Sequence, residues 1–291
     1  MSTPADADDR LTKQDESQRA SRIQDPIFRR AVGLLDDGDV EGLQHLLVEH
    51  PELATQRVEF AGGTYFRNPT LLEFVAGNPV RHDRLPPNIV EVARAILDAG
   101  ARLDRRAVNS TLGLVSSGRV PRECGAQIAL VDLLCDYGAD PDSAMRSALG
   151  HGELDAVNAL IRRGAQVDLT AAAATGRHAE ARGAAPSGAP ENRHLALAWA
   201  SQFGHVDIVR LLLDLGEDPN RFNPEGAHSH STPLHQAALA GHRHVVELLV
   251  ERGSRLDVRD LHYQGTPAEW ADHAGQTELA ASLRALEDRS K

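Results

Sequence analysis

The fold follows from a single segment that begins Thr232-Pro233-Leu234-His235-Gln236-Ala237-Ala238, passes through Gly241-His242 and ends at Arg252-Gly253. Proline suits the first turn of a helix, and glycine is the common residue just after one. The stretch therefore predicts a helix, a turn at Gly241 and a second helix over the apolar positions before Arg252. Thirty-four residues later, Thr266-Pro267 begins the same pattern, with Gly275 at the place of Gly241.

Similar pairs of apolar segments run through most of the chain. A glycine follows many of the predicted second helices, where it can adopt the left-handed conformation that ends a helix. Roughly eight such pairs of about 33 residues fit the length. Helices this short are marginal in water and fold by covering the apolar stripe of a neighbour. The sequence therefore predicts an all-α solenoid of about eight helix–turn–helix repeats, with closing glycines at Gly100, Gly138, Gly164, Gly216 and Gly253.

From about Asp25 to Asp288 these motifs resemble the ankyrin-repeat family, most clearly at Thr232-Pro233-Leu234-His235 with Gly241-His242. The resemblance implies an all-α ankyrin-repeat solenoid. It also implies that Thr232 and His235 make structural hydrogen bonds between loops and helices. Trp199 and Trp270 occupy equivalent places in their repeats, which implies packing between neighbours, with a paired aromatic platform as the alternative.

The same resemblance implies protein binding through the concave face, which the loop tips and the first helix of each repeat form. Aromatic and arginine side chains at such positions are common interface anchors. The partner would be another protein or a peptide, and the protein would be no enzyme. The residues expected to touch the partner are Tyr65, Phe66, Gln202, Phe203, Phe222, Leu239, Tyr263 and His273.

Composition divides the chain into a tail and a repeat domain. Residues 1–24 are polar and charged, which predicts a disordered acidic tail, and the repeat domain is expected over residues 25–288. Residues 179–191 are rich in alanine, glycine and proline, so we expect a flexible insertion there, with the second helix of its repeat shortened or absent. The tail is a candidate for gating the binding groove.

Charge and composition exclude several classes of partner. The formal net charge of −11 disfavours nucleic acid and anionic membrane surfaces and favours a basic protein segment. No run of apolar residues is long enough to span a membrane. Two cysteines, Cys124 and Cys135, are too few for a disulfide framework, which predicts a cytoplasmic protein. Lysine occurs only at Lys13 and Lys291 among 31 basic residues, which suggests a bacterial source. A monomer is the expected state.

The remaining candidate for a chemical site is a pair of histidines. His228 and His230 lie two residues apart in a loop, and two such imidazoles can chelate a transition metal if a third ligand joins them. This spacing supports an alternative function as a metal-binding module, metal-dependent enzyme or sensor. No histidine–glutamate metalloenzyme motif, phosphate-binding loop or paired-cysteine spacing accompanies it. We therefore expect no catalytic residue and no cofactor.

Overall fold

A computed structural model describes residues 23–59, 66, 68–77 and 84–289. These residues are mainly helical, and an isolated antiparallel bridge joins Arg57 and Thr70. None of the described helices is long and apolar enough to cross a membrane. The chain divides into two compact units, unit 1 over Met1–Ala165 and unit 2 over Gln166–Lys291. The predicted all-α class is confirmed.

The described part of unit 1 contains four helix pairs. The first pairs α1 (Pro26–Asp37) with α2 (Val40–Glu49), and the second pairs a 3₁₀ helix (Leu71–Ala76) with α3 (Ile89–Asp98). In the third, a short helix α5 (Arg119–Glu123) lies between α4 (Arg105–Ser116) and α6 (Gln127–Asp136). The fourth pairs α7 (Asp142–Gly150) with α8 (Leu154–Arg162). Two further 3₁₀ turns span Pro51–Ala54 and Ala101–Leu103.

The first helix starts where the sequence predicts it. Pro26 is its first residue, and the Asp25 carboxylate accepts hydrogen bonds from the Ile27 and Phe28 amides at 2.9 and 3.1 Å. Ile23, assigned to the tail above, is instead buried, and its carbonyl oxygen accepts a hydrogen bond from Arg29 Nε at 2.9 Å. Packing therefore begins two residues before the expected boundary. The rest of the predicted tail, residues 1–22, lies outside the described residues.

Unit 2 also contains four helix pairs in its described residues, which completes the eight expected. They are α9 (Leu169–Ala174) with α10 (His178–Ala184), α11 (Pro190–Gln202) with α12 (Val206–Asp214), α13 (Pro233–Leu239) with α14 (Arg243–Glu251), and α15 (Pro267–His273) with α16 (Thr277–Arg289). A single cluster of buried apolar side chains extends from Leu169 to Leu283. Each pair therefore contributes to one continuous core, as stacked repeats require.

The predicted flexible insertion, residues 179–191, is folded. It contains most of α10, a 3₁₀ turn over Ala185–Ser187 and the start of α11. Ala181 and Ala185 are completely buried, because small side chains allow the short helix to approach the core closely. The second helix of this repeat is thus shortened to seven residues but present. Its mobility stays a prediction.

Candidate functional site

Three of the predicted contact residues meet in one groove of unit 2. The groove has a volume of about 900 Å³. Its walls come from the end of α13, from the loop before α15 and from α15 itself, so two consecutive repeats form it. The residues that line it are Leu239, Arg259, Tyr263, Gln264, Gly265, Glu269, Trp270 and His273.

A buried carboxylate fixes the loop that forms one wall. The Asp260 Oδ1 atom accepts hydrogen bonds from the amides of His262 and Tyr263, at 2.9 and 2.7 Å. Its Oδ2 atom accepts from the Gly265 amide at 2.8 Å and from Trp270 Nε1 at 3.0 Å. One side chain thereby joins the loop backbone to the helix that carries Trp270.

The electrostatics of Asp260 follow from these four donors. Burial by itself raises the pKa of a carboxyl group, because the charged form loses its hydration. The N–H donors of Tyr263, Trp270, Gly265 and His262 outweigh that effect, so the pKa of Asp260 lies well below its ordinary value of 3.8. The carboxylate therefore stays ionised and keeps its donors over the whole physiological range.

The tip of this loop presents an aromatic ring to solvent. Tyr263 is 80% exposed, although its backbone amide is held by Asp260. The next residue, Gln264, has a φ of 56°, a left-handed conformation that is uncommon for a residue with a side chain. A Gln264 Nε2 hydrogen bond to the Asp260 carbonyl oxygen, at 3.1 Å, helps to hold it. The tip is therefore preorganised before any partner arrives.

Charges of both signs lie at the groove. Arg259 approaches Glu269 at 3.5 Å and donates to the Gln264 carbonyl oxygen at 2.5 Å. Glu269 also accepts from the Thr266 amide at 2.7 Å, which caps the start of α15. That backbone bond is the largest cause of the lowered pKa of Glu269. The ion pair remains accessible, so a partner can engage either member.

The Thr232–His235 pair is structural, as the resemblance implies. The Thr232 hydroxyl lies 2.8 Å from His235 Nδ1, and His235 Nε2 donates to the Gly265 carbonyl oxygen at 3.1 Å. Both side chains are buried. Burial first of all lowers the pKa of His235, which keeps the ring neutral. The pair ties α13 to the loop of the next repeat, and thereby to the groove.

Comparison with known families settles the identity of these repeats. A family model of ankyrin repeats in three copies matches residues 124–260 and 197–286, together more than half of the chain. The chain belongs to the ankyrin-repeat family. Ankyrin repeats form protein–protein interaction modules, so the coarse function of this chain is protein binding.

Three relatives illustrate the match. Mouse ankyrin repeat domain-containing protein 63 is 29% identical over 58% of this chain and 31% of its own length. Human cyclin-dependent kinase inhibitor 2A is 34% identical over 40% of this chain and 75% of its own length. The Caenorhabditis elegans E3 ubiquitin-protein ligase hecd-1 is 44% identical over 21% of this chain and 2% of its own. The chain thus spans less than a third of the first and third of these proteins.

Other predicted contacts lie elsewhere in these ankyrin repeats. Phe203 is half-buried and stacks on Trp199, with ring centroids 5.8 Å apart and an interplanar angle of 14°. The Gln202 and Phe222 carbonyl oxygens accept hydrogen bonds from His242 and His194, at 2.9 and 3.0 Å. None of the three predicted residues lines the groove. Their contact with a partner stays a prediction.

At Phe66, another predicted contact residue, the structure shows a buried side chain. Phe66 is only 3% exposed, and its ring meets Phe74 edge to face at a centroid distance of 5.1 Å. The expectation of an exposed anchor there is wrong, because the side chain completes an aromatic core contact. Tyr65 lies outside the described residues.

The two tryptophans of the ankyrin repeats differ. Trp199 is buried, as packing between repeats implies, whereas Trp270 is partly exposed and lines the groove. Trp270 belongs to the last described helix pair, so no further described pair covers its ring. Sequence reasoning missed Trp270 and Asp260 as groove residues. The available signal was an aspartate five residues before a loop glycine, followed by a tryptophan on the next helix.

The histidine pair gives the metal alternative no support. The ring centroids of His228 and His230 are 6.1 Å apart, and His230 lies instead at 4.5 Å from His262. No group of three or more histidine, cysteine, aspartate or glutamate residues in the described part of the chain could hold a metal ion. We therefore treat these rings as part of an aromatic cluster.

Proposed function

We propose that this ankyrin-repeat protein binds a partner protein or peptide, without catalysis, through the groove between α13 and α15. One observation carries the proposal: the 80% exposed Tyr263 ring stands on a loop that a buried carboxylate holds rigid. An exposed aromatic ring on a fixed backbone loses little conformational freedom on binding, so more of its contact energy contributes to affinity.

The groove offers the features of an interface centre. Leu239 and Trp270 provide apolar surface, Tyr263 provides an exposed aromatic ring, and His273 lies along one edge. Arg259 and Glu269 supply a polar rim. Interfaces concentrate affinity in a few aromatic and arginine side chains surrounded by such a rim. The net charge of −11 favours a partner with a basic segment.

The absence of catalysis is part of the proposal. Thr232 and His235 form a hydroxyl–imidazole pair that could resemble a nucleophile and its base. Both side chains are buried, and the ring is held on the Gly265 carbonyl oxygen, so a substrate has no access to them. Their role is to position the groove.

We also propose that the protein acts in the cytoplasm as a monomer. The two cysteines are free thiols, one exposed and one half-buried, which supports a reducing compartment. Cell fractionation and light scattering test these two points. The bacterial source stays a prediction.

The test compares one groove variant with one variant in unit 1. Partners are captured from the source cell, purified and then measured by calorimetry against wild type, Tyr263→Ala and Leu103→Ala. We expect Tyr263→Ala to weaken the affinity roughly tenfold or more, the loss typical of a buried anchor. Leu103, 77% exposed in unit 1, is the matched control and should bind as wild type does.

Equal affinities of wild type and Tyr263→Ala for every purified partner would place the interface elsewhere. Circular dichroism of the variant excludes a trivial loss of fold, which we do not expect because the Tyr263 side chain is exposed.

A further inference from the structure

A cluster of aromatic rings lies beside the groove, with His230 at its centre. The His230 ring centroid is 4.5 Å from that of His262, 5.7 Å from Trp270 and 6.3 Å from Tyr263. A backbone hydrogen bond from the Leu261 amide to the His230 carbonyl oxygen, at 2.9 Å, joins the two loops. The segment that carries the exposed Tyr263 therefore includes His262 and packs against the imidazole of His230.

We propose that this histidine cluster is an acid-sensitive switch, in which protonation of His230, whose ring packs against His262 and Trp270, separates the two loops and opens the wall of the groove. The inference rests on the proposed function, since it concerns the regulation of that same site. At neutral pH the His230 ring is uncharged and packs as an aromatic group. In acid the partner is released.

The physical reason is the cost of charge within the cluster. His230 is half-buried, so its charged form loses hydration, and positive charge on His262, whose ring centroid lies 4.5 Å away, repels it. Burial, followed by the charge of His262, lowers the pKa of His230 from its ordinary 6.5. Packed rings therefore bind protons less readily than separated rings, so falling pH favours the separated arrangement.

Groups from three packed elements face His230. Asp260, on the loop before α15, attracts a proton to His230, but its carboxylate is already engaged by four N–H donors and the net direction remains a lowered pKa. His228, on the same segment as His230, adds repulsion. His235, on α13, is buried and held on the Gly265 carbonyl. Trp270, on α15, is neutral.

The loss of affinity in acid is larger for a basic partner. Cationic imidazoles at the edge of the groove would repel it, while movement of the 261–264 segment would remove the fixed position of Tyr263. Both consequences lower affinity in acid.

The test follows the free protein in a Trp199→Phe background, which leaves Trp270 as the reporter because the chain has two tryptophans. Trp270 emission is titrated from about pH 8 to pH 5, the range in which imidazoles change charge. Hydrogen exchange at the Leu261 amide, corrected for its intrinsic rate, reports the opening itself. Far-UV circular dichroism defines the range in which the helices persist.

We expect a sigmoidal change in emission with a midpoint below 6.5, accompanied by loss of protection at Leu261. His230→Phe keeps an aromatic ring and should abolish both changes. His262→Phe should move the midpoint upward, since the repelling charge is gone. His244→Phe is the matched control: that ring is 82% exposed and pairs with Glu247 on α14, so both titrations should be unchanged.

A flat titration of the parent protein, or an unchanged one in His230→Phe, overturns the switch. Retained protection at Leu261 throughout the emission change does so as well, because the rings would then have moved without the loops. Partner binding that depends on Tyr263 but not on pH leaves the proposed function standing without the switch. A full response of Trp270 and Leu261, with no effect of Tyr263→Ala on affinity, leaves the switch standing without that function.

Discussion

The side chain of one residue, Asp260, fixes the conformation of a whole loop. Its carboxylate satisfies three backbone amides and the Trp270 indole, although the residue itself is completely buried. A buried charge is stable only when such donors replace the water it has lost. The exposed aromatic ring of Tyr263 therefore depends on a residue that no partner touches.

We predict that Asp260→Asn lowers the free energy of unfolding by about 1–3 kcal/mol, because the amide nitrogen would face N–H donors that lose their acceptor. Urea unfolding followed by tryptophan emission measures the change. Asp257→Asn is the control: that carboxylate is exposed and pairs with Arg255 on the surface, so its effect should stay within about 0.5 kcal/mol. Equal effects of the two substitutions would contradict the role given to Asp260.

At the scale of elements, imidazole hydrogen bonds join neighbouring helix pairs of unit 2. His205 Nε2 donates to the Ala174 carbonyl oxygen at 3.0 Å, and His242 Nε2 donates to the Gln202 carbonyl oxygen at 2.9 Å. Each bond reaches from the turn of one repeat to the end of the first helix in the preceding repeat. Glycine in that preceding turn leaves room for the ring.

Gly204 illustrates this requirement. Its φ is +81°, and an added Cβ would lie 2.7 Å from His242 Nδ1. We predict that Gly204→Ala destabilises unit 2 by about 1–3 kcal/mol, through backbone strain and displacement of the imidazole. Chemical denaturation measures it.

Gly183→Ala is the matched control for Gly204→Ala. Gly183 lies within α10, where an added Cβ meets nothing within 4 Å and the backbone is not left-handed. Alanine favours helix over glycine, so stability should be unchanged or rise by about 0.5–1 kcal/mol. The same control examines the segment expected to be flexible, since a stabilising effect requires that α10 forms in solution. Destabilisation by Gly183→Ala equal to that of Gly204→Ala would refute the argument.

At the scale of the whole molecule, shifted histidines concentrate in one unit. Burial is the leading cause of a lowered pKa at His194, His205, His228, His230 and His235, and all five belong to unit 2. A histidine whose folded-state pKa lies below its unfolded value contributes stability above the unfolded value of about 6.5. That contribution is lost as pH falls through 6.5 and below.

We therefore predict that unit 2 loses stability on acidification from about pH 7.5 to pH 5.5 to a greater extent than unit 1. Hydrogen exchange with mass spectrometry on the full chain, corrected for intrinsic rates, resolves peptides of both units in one experiment. Peptides from α11 to α15 should lose the most protection. Uniform loss over both units, or loss confined to residues of unit 1, would contradict the prediction.

Much of the fold could be predicted from the sequence, because it depends on local signals. Thr232-Pro233 and Thr266-Pro267 start α13 and α15, and Gly138, Gly164, Gly216 and Gly253 take the left-handed conformation after their helices. The residues of the groove could be predicted only in part. Leu239, Tyr263 and His273 were anticipated from their places in the repeat, whereas Phe66 has the same chemical character but turned inward onto Phe74.

Local sequence accounts for the repeated helix pairs and for the residues that start and end them, because capping, turn formation and apolar periodicity act over a few neighbouring positions. Packing in the folded chain sets which aromatic side chains are available. Phe66 was buried against the Phe74 ring of the following helix, Trp270 was left at the edge of a groove, and His230 was brought against His262 from thirty-two positions away. Burial of a side chain depends on what packs over it, and that packing exists only in the folded chain.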